Sequence, residues 1–139
     1  MGRDVQCRLM PDRSANAARV RGYRDLDAWN KSMTLIARCY AVARSLPPDE
    51  RFDLARQLRR ASISIAANIA EGSGRRHKAD YARFLAIARG SLSEVETYLE
   101  IIRQLDFAPG NQTSEALALA SDVGKMLTGL LRRHARPVP

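Results

Sequence analysis

RQLRRASISIAANIAEGSGRR, from Arg56 to Arg76, holds two arginine pairs on either side of a run, Ala61 to Ala70, that carries no charge. The run is half the roughly 20 residues that a membrane helix needs, so it reads as part of a longer amphipathic helix. Set at about 100° per residue, Leu54, Leu58, Ala61, Ile65 and Ile69 fall on one side and form a core seam. Gln57, Arg60, Ser64, Asn68, Glu71 and Arg75 make a polar stripe along one flank. The back begins with Arg56 and Arg59 but continues as Ile63, Ala66, Ala67 and Ala70. A helix apolar on two opposite sides is normally covered on both, and alanines allow a second helix to come close. The stretch therefore predicts an interface helix.

Three further helices follow from the same period. Leu26, Trp29, Met33, Ile36, Tyr40 and Ala43 recur at spacings of three and four, with Asp25 as expected cap and Pro47-Pro48 as terminator. Asp49 is the expected cap of the second helix, and Gly72 and Gly74 close it as left-handed caps in a tight turn. The third runs from about Lys78 to Leu105 with Tyr81, Leu85, Ala88, Leu92, Val95, Leu99 and Ile102 in register. After Phe107-Ala-Pro-Gly-Asn, Thr113 or Ser114 caps a fourth, which carries Leu119, Val123, Met126, Leu127, Leu130 and Leu131 before Arg136-Pro137. No stretch has strand character. The expectation is an all-α, antiparallel up-down-up-down four-helix bundle over residues 23–136. A flexible basic segment, 1–22, precedes it and a tail, 137–139, follows.

The third helix also has a second, mixed apolar stripe, with Ile87, Ser91, Glu94, Tyr98 and Ile101. Surplus apolar surface on two helices of so small a bundle predicts subunit contact through Ile63, Ala66, Ala67, Ala70, Ile87, Tyr98 and Ile101. The expected partner is a second copy of the chain, in a homo-oligomer; cover by long loops or the N-terminal segment is the alternative. Cys7 and Cys39 form no CxxC pair, no segment resembles a signal peptide or a membrane span, and a cytoplasmic location fits.

The net charge of +8 is unevenly spread. From Arg51 to Gly90 there are nine basic residues against three acidic ones. A surplus of this kind attracts polyanions through counterion release, without sequence selectivity. Arg56, Arg59, Arg75, Arg76, Lys78 and Arg83 are the candidate phosphate contacts. Tyr81 and Phe84 belong in or near the core, so an aromatic platform for bases is not expected.

Catalytic patterns do not emerge. Gly72-Ser73-Gly74-Arg75-Arg76 lacks the strand and the spacing of a P-loop or dinucleotide turn. No Glu-x-x-His supports a di-iron centre, and neither His77 nor His134 has an arginine four to six residues before it, as a helical ribonuclease would require. No cofactor or metal is expected, and the reading is non-enzymatic. The stripe of Arg60, Ser64, Asn68, Glu71, Gly72 and Gly74 reads first as a structural network, with a ligand site as the alternative.

YRDLDAW, RFDLARQLRRASISIAANIAEGSGRR and YARFLAIARGSLSEVETYLEI, in this order and spacing, resemble the four-helix-bundle proteins encoded by intervening sequences of 23S ribosomal RNA genes. The resemblance covers roughly Tyr23 to Phe107. The family is similar to the accessory protein of diversity-generating retroelements, a basic bundle that works with a reverse transcriptase and binds nucleic acid. The resemblance implies a ring, typically a pentamer, and no activity. It places the family signature on Asn68 to Gly72, Gly74 and Arg75. Ala66 stands where the family usually has proline and His77 where it commonly has Ser or Thr, so a kink and a cap are in question. The function expected is a non-enzymatic scaffold or accessory protein that binds RNA or DNA through phosphates. The second reading is a module that binds a protein partner instead.

Overall fold

The computed structural model describes residues 22–134, the side chain of Asp25 excepted. The expected basic segment, Cys7 and the tail lie outside these residues. Four α-helices follow one another: α1 Asp27–Ser45, α2 Leu54–Ser73, α3 Lys78–Leu105 and α4 Gly110–His134. Short 3-10 turns, Tyr23–Asp25 and Pro48–Glu50, precede α1 and α2. Strands are absent among the described residues.

The breaks arise largely where proline interrupts the helical ladder, but the caps differ from expectation. Leu26, not Asp25, is the N-cap of α1, and the Asn30 amide holds the preceding turn by donating to the Arg24 and Leu26 carbonyls. Asp49 lies inside the Pro48–Glu50 turn; Asp53 is the cap residue of α2, its carboxylate accepting from the Gln57 amide at 2.8 Å. α4 begins directly after Pro109, whose carbonyl receives the amides of Gln112 and Thr113, so Thr113 and Ser114 are helical rather than capping. His77 is the N-cap of α3 without a side-chain bond. α3 ends on Asp106 in the left-handed region at φ 54°, with the Phe107 amide reaching back to the Ile102 carbonyl at 3.1 Å. That pattern satisfies carbonyls the helix end would otherwise leave open.

Each helix packs on its chain neighbours, and α4 also returns to α1. Along α2 and α3 the contacts pair Gln57 with Tyr98, Ser64 with Ser91 and Gly72 with Phe84. Between α3 and α4 they pair Tyr81 with His134 and Leu92 with Gly124. Numbers rise on one helix as they fall on the other.

The interior contains Leu58, Ile65, Ile69, Leu85, Leu99, Ile102 and Leu127, all fully buried. Burying each such side chain stabilises by about 1.5–3 kcal/mol before entropy is counted. The seams expected for α2 and α3 are the buried ones, apart from half-buried Leu54 and Tyr81. α1 is rotated from expectation. Ala28, Ser32, Leu35, Cys39 and Val42 face inward, whereas Met33 is 44% exposed and Trp29, Ile36 and Tyr40 are half-buried. Buried hydroxyls are satisfied locally: Ser32 donates to the Ala28 carbonyl at 2.7 Å and Ser62 to that of Arg59 at 2.8 Å. In α4, Ala116 and Ala120 join Val123, Leu127 and Leu130 inside, leaving Leu119, Met126 and Leu131 half-buried.

Two glycines depart from the turn reading. Neither Gly72 nor Gly74 has a positive φ; Gly74 sits at φ −85°, ψ −1°. Gly72 is buried, and a Cβ there would lie 2.8 Å from the Phe84 Cβ and 3.0 Å from Tyr81 Cδ1. Its need for glycine is the close approach of α3, not backbone handedness.

Candidate nucleic-acid interface

The six predicted phosphate contacts do not form one patch. Arg56 and Arg59 lie on the first turns of α2, and the Arg59 guanidinium lies 6.0 Å from the Tyr40 ring centroid. Arg75, Arg76, Lys78 and Arg83 sit at the other end, in the α2–α3 link and the start of α3. At 1.5 Å per residue, Arg56 and Arg75 stand about 28 Å apart along the helix.

The second group belongs to a basic end built from three helices. Arg75 and Arg83 approach the Phe84 ring, at 4.8 and 4.6 Å from its centroid. That occupies the aromatic face and holds both guanidiniums near the surface. Arg75 also pairs with Glu71 one turn earlier, an exposed pair that adds little stability. The end of α4 arrives here: the His134 ring lies 4.5 Å from that of Tyr81. Burial, then the charges of Arg133 and Lys78, depress the His134 pKa below its ordinary value. Burial raises that of Tyr81, partly countered by Arg133. The Tyr81 hydroxyl and His134 Nδ1 are buried without hydrogen-bond partners among the described residues, beside a cavity of about 290 Å³ that Ser73 and Arg133 also line.

Sequence reasoning missed Arg132 and Arg133 as members of this end. The signal existed in LLRRH, but it points to the basic end only when α4 is laid against α3 in reverse direction.

A larger groove, about 560 Å³, runs between α3 and α4 and was also missed. Arg89, Lys125 and Arg132 line it, with hydroxyls from Ser93, Ser121 and Thr128 and one carboxylate, Glu96. The close-packed point is Gly124, where a Cβ would lie 3.3 Å from Leu92 Cδ2. The small residues of α4, which look like gaps in its apolar pattern, are what keep this groove open.

The polar stripe of α2 is a seam with α3. The Asn68 amide donates to the Ser64 carbonyl and Oγ at 2.8 and 3.0 Å, and Ser64 Oγ meets Ser91 Oγ at 2.8 Å. The Tyr98 hydroxyl lies 3.0 Å from Gln57 Oε1 and 3.2 Å from a Glu94 carboxylate oxygen. Its single proton serves one at a time. Burial, the Glu94 hydrogen bond and its charge raise the Tyr98 pKa. Arg60 is exposed, and Asn68 and Glu71 do not bond each other. Ser64, Asn68 and Ser91 thus share one hydrogen-bonded group between α2 and α3.

Of the predicted interface residues, Ile63 (44%), Ile87 (42%) and Ile101 (39%) are exposed, as is Ala67, with Ala70 and Tyr98 half-buried. Ala66 is the exception, 5% exposed and turned inward within its own chain. Arg59, two turns earlier on the same flank, lies 6.0 Å from the Tyr40 ring centroid of α1.

No group of three His, Cys, Asp or Glu side chains among the described residues is placed to hold a metal ion. No described helix is long and apolar enough to cross a membrane.

Fold and surface together define an all-α four-helix bundle with a basic end. Residues 24–129 match the family model of the 23S rRNA-intervening sequence protein, and the chain belongs to that family. Its fold is similar to the crystal structure of a protein of unknown function from the S23 ribosomal protein family of Bacteroides thetaiotaomicron VPI-5482, with TM-score 0.70 and 24% identity. That likeness covers 76% of this chain and 98% of the other. No curated protein matches the chain significantly.

Proposed function

We propose that this protein is a non-enzymatic, nucleic-acid-associated scaffold that binds RNA or DNA through phosphates. The observation that carries the reading is the convergence of Arg75 and Arg76 from the α2–α3 link, Lys78 and Arg83 from α3, and Arg132 and Arg133 from α4 on one end of the bundle. Glu71 and Asp80 are the nearby carboxylates in sequence, and Glu71 neutralises only Arg75. Such a surface attracts polyanions and releases their counterions. The reversed contacts between successive helices support an antiparallel up-down-up-down path. Assembly of several copies, through exposed Ile63, Ala67, Ile87 and Ile101, would repeat the basic end around a ring, a pentamer by family likeness. The cytoplasm is the compartment where such a ligand is abundant.

Native mass spectrometry of protein purified without nuclease tests both parts. A ring carrying nucleic acid that salt removes is the expected result. A monomer with no passenger would sink the assembly and leave the binding unsupported. Ile63→Glu with Ile87→Glu should leave helicity intact while lowering the assembled mass.

A second reading, a protein-binding module, draws on the opposite end. There Phe52 (78% exposed), Leu105 (55%) and Ile101 present apolar surface beside the start of α2. A clean ring with no retention on heparin or RNA would favour it.

A further inference from the structure

We infer that the groove between α3 and α4 is a binding channel for the phosphodiester backbone of a single nucleic-acid strand. The inference rests on the polyanion-binding reading above and gives it a location and a ligand form.

Charge and its lack of compensation come first. Arg89 projects from α3, and Lys125 and Arg132 from α4, into one groove. The ion pairs among the described residues are Arg38–Glu115, Arg75–Glu71 and Arg103–Glu100, so none of these three cations is neutralised at close range. Three unpaired cations converging across two helices repel one another, and an anion between them removes that cost.

Spacing sets the ligand. Lys125 and Arg132 are two helical turns apart, about 10.5 Å along α4. The pairing of Leu92 with Gly124 and of Tyr81 with His134 puts Arg89 opposite the interval between them. A triangle of this size spans two or three successive phosphates. The hydroxyls of Ser93, Ser121 and Thr128 add neutral donors along the same channel.

Shape and composition select backbone over base and one strand over two. Packed helix axes lie about 8–10 Å apart, so the channel between them is narrower than the roughly 12 Å major groove alone of a duplex. No aromatic residue lines it, which removes base stacking as a source of affinity and predicts indifference to sequence. Glu96 lies toward the Ser121 end and disfavours phosphate there, whereas the Arg132 end leads on to Arg133 and the basic end. A strand is thus drawn in from the basic end and stopped near Glu96.

The test is fluorescence anisotropy of a labelled oligothymidylate of about 20 nucleotides with the full chain, titrated across salt. Removing two phosphate contacts on a single strand lowers the slope of log K against log salt by about 1.4. Lys125→Ala with Arg132→Ala should do this, with roughly tenfold weaker binding near 0.1 M salt. Glu96→Gln should tighten binding. Arg44→Ala with Arg103→Ala removes the same net charge from exposed sites at the other end and should leave the slope intact. Equal losses from both double variants would overturn the channel, since net charge alone would then explain binding. Tripolyphosphate competing as strongly as the oligonucleotide, phosphate for phosphate, would overturn the strand. If the unaltered protein fails to bind at low salt, the scaffold reading falls first, and the channel with it.

Discussion

Gly72 lies so close to Phe84 that a Cβ at residue 72 would come within 2.8 Å of the Phe84 Cβ. The contact locks the end of α2 to the start of α3 where the polar stripe, the basic link and the Tyr81–His134 pair meet. Neither obstructing atom is the free end of a flexible side chain: one is Phe84 Cβ, the other a ring carbon of Tyr81, with the Tyr81 carbonyl 3.4 Å away.

Gly72→Ala should therefore destabilise by about 1–2 kcal/mol through overpacking, despite alanine's better helix propensity. Gly74→Ala should be neutral or stabilise by about 0.4–1 kcal/mol, because its helical backbone suits alanine and the unfolded chain loses freedom. Denaturant unfolding of both variants decides the matter. Equal effects at the two positions would return the explanation to a simple glycine turn.

Ser64 and Ser91 share a hydrogen bond across α2 and α3, with Asn68 donating into the same group. A double-mutant cycle with Ser64→Ala and Ser91→Ala should give a coupling of about 0.5–1 kcal/mol, the net worth of a partly buried hydrogen bond. Asn68→Ala should lower stability by about 0.5–1 kcal/mol, since alanine's helix propensity offsets part of the loss. Strict additivity in the cycle would argue against the network.

His134 makes stability depend on acid. Its folded pKa lies below the ordinary 6.5, so the unfolded chain binds the proton more readily. The contribution is present above pH 6.5 and is lost as pH falls through the folded value. Thermal midpoints should drop between neutral pH and the upper edge of carboxylate titration, and His134→Gln should flatten that drop. A variant with the same acid slope as the parent would place the sensitivity elsewhere.

Cys39 is a fully buried free thiol whose pKa burial pushes up to about 12. Only the thiolate attacks a disulfide reagent. With Cys7→Ser to isolate it, Cys39 in the folded chain should react more than about a hundredfold slower than after unfolding. Comparable rates would show that α1 opens easily from the bundle.

Much of this was readable without coordinates. Proline at 47, 48 and 109 marks the helix ends because it breaks the hydrogen-bond ladder, whatever packs around it. The seams of α2 and α3 are legible because each carries one strong apolar row, from Leu58 to Ile69 and from Leu85 to Ile102. The basic surplus around α2 and α3 is legible as a count. Its division into two groups about 28 Å apart follows from the length of α2 at 1.5 Å per residue. Arg132 and Arg133 join the second group only through the return of α4.

The sequence by itself determined four helices, their approximate ends and a four-helix family, because period, proline and family motifs are properties of the chain read locally. Tertiary structure decided which side of α1 turns inward. Its rows Leu26–Trp29–Met33–Ile36 and Ala28–Ser32–Leu35–Cys39 are adjacent, and the less apolar of the two is buried. It decided that Ala66 is buried within its own chain and that Gly72 serves contact rather than a turn. It also made a groove from small residues on α4. A single helix does not carry that information, because the choice depends on how the faces of four helices fit one another at once.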